Sequence, residues 1–447
     1  MNSVSHVQEV MERVRADGVQ FMNLQFTDIF GTLKSLTIPV GRLQESLTNG
    51  TWFDGSSIQG FARICESDML LRPDPSTYSV VPWRPAEARE ARMICDVHTP
   101  DGQPFEGDPR HILRRALQRA RDMGFLYHVG PELEFFLLER NGIQVSREPH
   151  DPAGYFDMGP RDRALDVRRE ITFALKAMGM EVEMEHHECA PGQHEIDIRY
   201  SEALSAADQA LTLKYAVKSV SYRCGLHATF MPKPFFGVNG SGMHTHQSLT
   251  DLQGKNVFFD PDAHYRLSRL ARSFVAGQLL HARAMSAVLS PTVNSYKRLT
   301  PGYEAPVYIC WGQINRSALI RIPGHAIAWQ NSARAELRCP DPSCNPYLAF
   351  AVMLHAGLDG IERGLEPPEP VDENVYGFDD DRLAERSIGT LPGSLGEALE
   401  AMKQCSLMRE ALGEHTFSYY LRAKRQEWDA FRIHVTDWEV DRYLEML

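Results

Sequence analysis

Glu132 and Glu134, in GPELEFFLLE (residues 130–139), are two residues apart in a run that is otherwise apolar and aromatic. On a strand both carboxylates point to one face, and side by side they repel unless something positive sits between them. Alone, the pair fits a solvated edge strand as well as a metal site. In EMEHHECAPGQHEIDIRY (183–200), Glu188 and Glu195 flank the tight Ala190-Pro191-Gly192 turn, which can fold both onto one side of a hairpin. Zinc-protease chemistry fails here, because His187-Glu188 and His194-Glu195 both lack the second histidine of H-E-x-x-H.

A third stretch, MPKPFFGVNGSGMHTHQSL (231–249), sets glycines beside His244 and His246, which share a face if the segment is a strand. Neither glycine-rich phosphate motif fits: G-x-G-x-x-G breaks at Thr245, and no G-x-x-x-x-G-K-[ST] occurs. A nucleotide site must therefore be built another way. Downstream, NSYKRLTPGYEAP (294–306), NRSALIRIP (315–323) and ARAELRCPDPSCNPYLAF (333–350) carry Arg298, Arg316, Arg321, Arg334 and Arg338 in largely apolar surroundings. A guanidinium fork grips carboxylate and phosphate oxygens in bidentate fashion, and Glu336 and Arg338, two apart, face one pocket. A single arginine is more often a structural ion pair; five beside a glycine- and carboxylate-rich set point to a site.

The elements that must position these groups begin with a helix, since Val7, Val10, Met11 and Val14 recur at helical spacing before Gly18. Met22, Leu24 and Phe26 then alternate with Asn23 and Gln25, and β-like runs continue to about Val97. The polar stretch 98–110 ends in Asp108 and Pro109, a cap and first turn, which places a domain boundary between 1–105 and 106–447. Beyond it Ile112, Leu113, Ala116, Leu117 and Ala120 form one helix face, and strands alternate irregularly with helices near 162–178 and 203–223. That order predicts α+β. The acidic, Pro-rich segment 363–381 reads as a solvated surface loop.

Bulk properties narrow the function. The formal charge is −12 and no basic field exists for a nucleic-acid backbone. The N-terminus lacks a signal-peptide pattern, and the most apolar stretch, Tyr347 to Leu358, is too short for a bilayer span. Eight scattered cysteines without a C-x-x-C pair fit free thiols, so the expected setting is cytoplasmic.

At this point the chain resembles the glutamine synthetases of bacterial and archaeal type I, from about Phe21 to its end. NGTWFDGSS (49–57), GPELEFF (130–136), HHECAPGQHEID (186–197), KPFFGVNGSGMHTHQS (233–248), NSYKRLTPGYEAP, NRSALIRIP and ELRCPDPSCNPYLA stand in the family's order. The resemblance implies a small N-terminal β-grasp domain and a catalytic domain whose curved antiparallel sheet forms a funnel. It implies one Mg²⁺ or Mn²⁺ held by Glu134, Glu188 and Glu195 and another by Glu132, His244 and Glu336, a hard-oxygen set with one imidazole. ATP would meet Glu183, Tyr200, His246, Ser248, Arg316, Arg321 and Arg334. L-Glutamate would meet Asn239, Gly240, Arg298, Glu304, Arg316 and Arg338.

In the implied reaction Arg316 neutralises charge on the transferring phosphoryl group, Asp54 draws in ammonium and takes its proton, and Glu304 closes a flap over the acyl phosphate. The family also forms two stacked six-membered rings, so a homo-dodecamer is expected, with neither membrane nor nucleic acid as partner. Arg63 matches an arginine linked to feedback by glutamine, and Cys65 replaces a residue that is usually acidic. Rival readings are a ligase joining glutamate to a polyamine-type amine, which would not need an ammonium-sized acidic pocket at Asp54, and a non-catalytic scaffold, which would not need six metal ligands.

The subgroup controlled by adenylylation carries a tyrosine two residues before a Leu-Pro, and this chain has Gly389 there. With no hydroxyl to modify, incubation with an adenylyltransferase and ATP is expected to leave the mass unchanged. An added adenylyl group with loss of activity, seen by mass spectrometry, would reject that reading.

Overall fold

Val10 and Val14 of the first helix, Ser3–Ala16, pack into a core with Met22, Leu24 and Phe26, the alternating apolar residues of the strand that follows. The computed structural model describes residues 3–58, 60, 68–324 and 332–447; Arg63 and Cys65 lie outside the described residues. The N-terminal strands are β1 (Phe21–Thr27), β2 (Leu33–Pro39), β3 (Thr51–Asp54), β4 (Asp68–Pro73), β5 (Ser79–Val80) and β6 (Glu90–His98). They form one sheet in the order β2-β1-β6-β4-β3, with β5 on β6 and β1 parallel to β6. The polar face of β1 is buried too. Asn23 is satisfied there by Glu90 at 2.9 Å and Thr37 at 2.6 Å.

The next helix, Pro109–Asp122, begins as its sequence predicts. Asp108 Oδ1 accepts the Arg110 N–H at 3.0 Å, while Oδ2 accepts the Val97 N–H at 3.0 Å, so the cap also ties the helix to β6. Arg110 itself is buried and reaches four ways: to both oxygens of Asp208 (3.0 and 2.8 Å), to Asp96 (2.7 Å) and to Asp74 (2.8 Å). Asp74 and Asp96 belong to the N-terminal sheet and its turn, and Asp208 to helix Ala203–Arg223. One guanidinium thus joins three segments.

The second sheet comprises β7 (Phe125–Asn141), β8 (Gln144–Pro149), β9 (Val182–His187), β10 (Gln193–Ile198), β11 (Ser201–Glu202), β12 (Leu226–Thr229), β13 (Thr245–Asp251), β14 (Tyr308–Gly312), β15 (Ala318–Arg321), β16 (Ala335–Leu337) and β17 (Gly389–Thr390). Its order is β17-β14-β15-β16-β13-β7-β10-β9, with β8, β11 and β12 also on β7. Among the described strands its pairs are antiparallel, as expected, except β14 with β15, which run parallel. The long β7 sorts its side chains by period 2. Tyr127, Val129, Leu133, Phe135 and Leu137 enter the main core with helices Ala203–Arg223, Arg269–Leu289 and Pro346–Glu362, and Glu132 and Glu134 take the opposite face.

The segment 363–381 is mostly exposed, as expected, but it is pinned to the body at three apolar residues. Val371, Val375 and Phe378 are buried, Val371 N–H donates to Trp311 O (2.8 Å), and Trp311 Nε1 donates to Pro368 O (2.7 Å). The loop stays largely solvated, and the backbone and indole of β14 fasten it at these points.

Replacing Arg110 by Ala removes the cation that holds Asp208 and leaves Asp74 and Asp96 to Arg114 alone, at 3.2 Å from each. A loss of about 3–5 kcal/mol in urea-unfolding stability is expected; a loss below about 1 kcal/mol would show that the junction does not depend on it.

Candidate active site

Strand register brings the acidic residues together. In the β7–β10 pair Glu134 lies opposite Glu195 and Glu132 opposite Asp197, while His246 on β13 lies opposite Glu336 on β16 and Gly130 on β7. His244, just ahead of β13, is fixed by a hydrogen bond from the Glu132 N–H to its carbonyl (2.9 Å). Glu188 sits at the β9–β10 turn, where its N–H donates to Gln193 O (2.8 Å). Close approach here requires glycine: a Cβ on Gly242 would lie 2.5 Å from Arg298 Nη2 and 3.1 Å from His244 Nε2.

Glu132, His244 and Glu336 offer one ligand atom each, all within 4.8 Å of one another. His244 Nδ1 stands 3.5 Å from Glu132, 3.9 Å from Glu134 and 3.9 Å from Glu336, apart enough for a cation to fit among them. Burial depresses the His244 pKa, which leaves a neutral imidazole with a lone pair to give. The second group is His186, Glu188 and Glu195, again within 4.8 Å. Here the structure brings in His186 where the sequence reading had Glu134. The Glu134 carboxylate is held beside them by Gln193 Nε2 (2.8 Å) and the Gly242 N–H (3.0 Å).

The two halves differ in charge balance. Glu336 is buried, yet His246, His244, Arg338 and Arg321 hold its pKa below the ordinary value. Glu134 is pushed up to about 8 by burial and by the charge of Glu188, and Asp197 to about 7 by burial and Glu132. Glu195 is raised well above its usual range by burial and by Glu134, Asp197 and Glu132. Carboxylates crowded so far out of water that they retain protons are short of positive charge, and hard oxygen donors with an imidazole fit Mg²⁺ or Mn²⁺. A third cluster, His150, Asp151 and His194, fits a cation poorly: Arg168 Nη1 donates to His194 Nδ1 (3.0 Å), so the other ring nitrogen carries the proton.

Two cavities meet at Glu132, Met184 and Asp197. The first, about 680 Å³, is lined by Glu183, Tyr200, His246, Ser248 and Arg334. Arg334 Nε donates to His246 Nδ1 (3.1 Å), so His246 presents Nε2–H to Glu132 at 2.7 Å. The second, about 410 Å³, holds Glu134, Glu188, Glu195, Asn239, Gly240, His244, Arg298, Glu304, Arg316, Arg321, Glu336 and Arg338. Arg321, expected among the nucleotide residues, lines this second cavity and pairs with Glu336. Arg298 uses its guanidinium on the carbonyls of Cys339 (2.9 Å), Pro340 (3.3 Å) and Arg338 (3.1 Å), bracing the loop after β16. Arg338 Nη1 is buried with no hydrogen-bond partner among the described residues.

Asp54 lies elsewhere. It is exposed on β3 at the end of the N-terminal sheet, accepts the Ser56 N–H at 2.8 Å, and lines neither cavity. Its strand neighbour Trp52 is 58% exposed. Three site residues escaped the sequence reading: His186, Gln193 and Asp197. The period-2 rule that paired Glu132 with Glu134 also puts Gln193, Glu195 and Asp197 on one face of β10.

Residues 18–100 match the family model described as glutamine synthetase, beta-Grasp domain, and residues 106–443 the one described as glutamine synthetase, catalytic domain. Similar curated proteins include the glutamine synthetases of Methanosarcina mazei, 54% identical over 100% of this chain and 99% of the relative, and of Thermus thermophilus, 52% identical over 98% of each. A solved structure described as a GmaS/ADP complex, conformation 1, is 34% identical with a TM-score of 0.89, covering 98% of this chain and 99% of the other. With both domains matched and relatives aligned from end to end, the chain belongs to the glutamine synthetase family.

Proposed function

We propose that the chain is a glutamate–ammonia ligase: ATP phosphorylates the side-chain carboxylate of L-glutamate, and ammonia displaces the phosphate to give L-glutamine, ADP and phosphate. The observation that carries this reading is the meeting of two unlike cavities at Glu132 and Asp197. The first has an aromatic ring, a hydroxyl and an arginine for a nucleotide. The second has arginines for carboxylate and phosphate oxygens, so the transferring phosphoryl group would lie where the two join.

Two divalent cations, on Glu132, His244 and Glu336 and on Glu134, Glu188 and Glu195 beside His186, would offset the charge of that phosphoryl group. In this reading Arg338 offers its unpartnered Nη1 to the accepting carboxylate, and Arg298, Asn239 and Gly240 hold the amino-acid end. Arg316 and Arg321 face the transferred phosphate, and Glu183, Tyr200, His246, Ser248 and Arg334 hold the nucleotide. Glu304, at φ 56° in an exposed turn, serves as the closing flap that keeps water from the acyl phosphate. Asp54 receives ammonium from the N-terminal domain of a neighbouring subunit, in a closed ring of a dodecamer. A cytoplasmic setting suits the seven described cysteines, all free.

Phosphate release with ATP and glutamate is expected to depend on ammonia and to be weak with a panel of larger amines; turnover with a larger amine alone would overturn the choice of substrate. Glu132→Ala and Glu134→Ala are each expected to lower kcat by roughly a hundredfold or more while the protein stays folded. Near-normal turnover in either variant would sink the two-metal assignment. Asp54→Ala and Glu134→Ala, inactive separately, should regain activity when unfolded and reassembled together, since random mixing leaves roughly a quarter of the interfaces intact on both sides. Continued inactivity in mixed oligomers verified by native mass spectrometry would return Asp54 to its own subunit's site.

A further inference from the structure

Away from the ligase site, three side chains from separate segments form a chain of polar contacts that the proposed reaction does not use. Cys405, between helices Leu395–Gln404 and Ser406–Leu412, has its Sγ 3.5 Å from His281 Nδ1; His281 Nε2 is 2.9 Å from Asp359 Oδ2. His281 comes from helix Arg269–Leu289 and Asp359 from helix Pro346–Glu362, and Arg363 Nη1 braces the same Asp359 oxygen at 3.0 Å. All three residues are partly exposed, with Cys405 packed at the edge of the main core.

The tautomer follows from the partners. Asp359, an acceptor only, takes the proton on Nε2, which leaves Nδ1 as a lone pair facing the thiol. Moving the thiol proton to Nδ1 then gives a thiolate beside an imidazolium whose two N–H groups point at sulfur and at carboxylate, the arrangement that activates a nucleophilic cysteine. We propose that Cys405, His281 and Asp359 form a nucleophilic thiolate site, separate from the ligase site, that is modified by soft electrophiles and above all by hydroperoxides.

The electrostatics agree with the geometry. Burial raises the Cys405 pKa, but the His281 hydrogen bond and the Met408 and Leu407 N–H groups outweigh it and bring it below the usual thiol value. Burial lowers the pKa of His281, and its bonds to Cys405 and Asp359 raise it overall. Cys95, Cys189, Cys224, Cys310, Cys339 and Cys344 all shift upward, by burial first. With a hydroperoxide, the thiolate attacks the terminal OH oxygen; an S–O bond forms and the O–O bond breaks. Sulfur loses two electrons and becomes a sulfenic acid, and the departing alkoxide takes the proton from His281 Nδ1 and leaves as an alcohol.

Cys224 supplies an internal control, because it is the more exposed thiol and has no histidine partner among the described residues. When the intact protein at pH 7 is treated with substoichiometric iodoacetamide and each cysteine peptide is followed by mass spectrometry, Cys405 is expected to alkylate roughly tenfold or more faster than Cys224. His281→Gln should bring the Cys405 rate down to that of Cys224, and Asp359→Asn should give an intermediate rate. Cumene hydroperoxide followed by dimedone should leave the sulfenic adduct at Cys405. The wild-type comparison needs no variant to fold. Labelling of Cys405 no faster than Cys224, an unchanged rate in folded His281→Gln, or dimedone capture at other cysteines only would each overturn the proposal.

Discussion

The repulsion among carboxylates on the inner face of the large sheet is the constraint to which the rest of the site answers. Antiparallel register sets Glu134 against Glu195 and Glu132 against Asp197, with Glu188 at the adjoining turn. A buried floor of this kind is costly in isolation, and the surroundings reduce the cost unevenly. On the β13–β16 side, His244, His246, Arg321 and Arg338 supply positive charge or donors to Glu132 and Glu336. On the β9–β10 side the main donors to Glu134 are an amide and a backbone N–H, and the carboxylates stay high in pKa. That imbalance is of the kind a divalent cation would relieve.

Rigid support for this floor comes from the opposite face of β7, whose apolar side chains pack on the long helices. The N-terminal sheet is fastened to those helices through Arg110 and its three aspartates, so its placement is set by a buried ionic junction as well as by apolar contact. With the sheet anchored on that side, β3 is left carrying Asp54 and Trp52 outward. A single chain thus presents an acidic group on one domain and a pocket of acids and arginines on the other.

Thiol chemistry separates along the same lines. Cys189 stands in the wall of the second cavity, but burial and Glu188 push its pKa up to about 12 and keep it protonated among the carboxylates. Cys405 has a histidine in place of those glutamates. A nucleophile would be a liability beside an acyl phosphate; at the junction of helices far along the chain it leaves that chemistry undisturbed.

Much of the site was legible in the sequence because period 2 is a local property: Glu132 with Glu134, and Glu336 with Arg338, needed only a strand to share a face. The cap at Asp108 and the helix after it were legible for the same reason. The family motifs added which residues go together, and most of those residues do line the two cavities. What the sequence could not contain was register. Whether Asp197 meets Glu132, whether His186 gathers with Glu188 and Glu195, and whether Arg321 turns toward Glu336 depend on how strands far apart in the chain align. The same holds for Val371 and Phe378, whose polar surroundings in sequence gave no sign that they would be buried. Composition and spacing determined the kinds of groups available and the local faces they occupy; only tertiary pairing decided which charges became neighbours, because the energy of a buried charge depends on its nearest partners in space and not on its place in the chain.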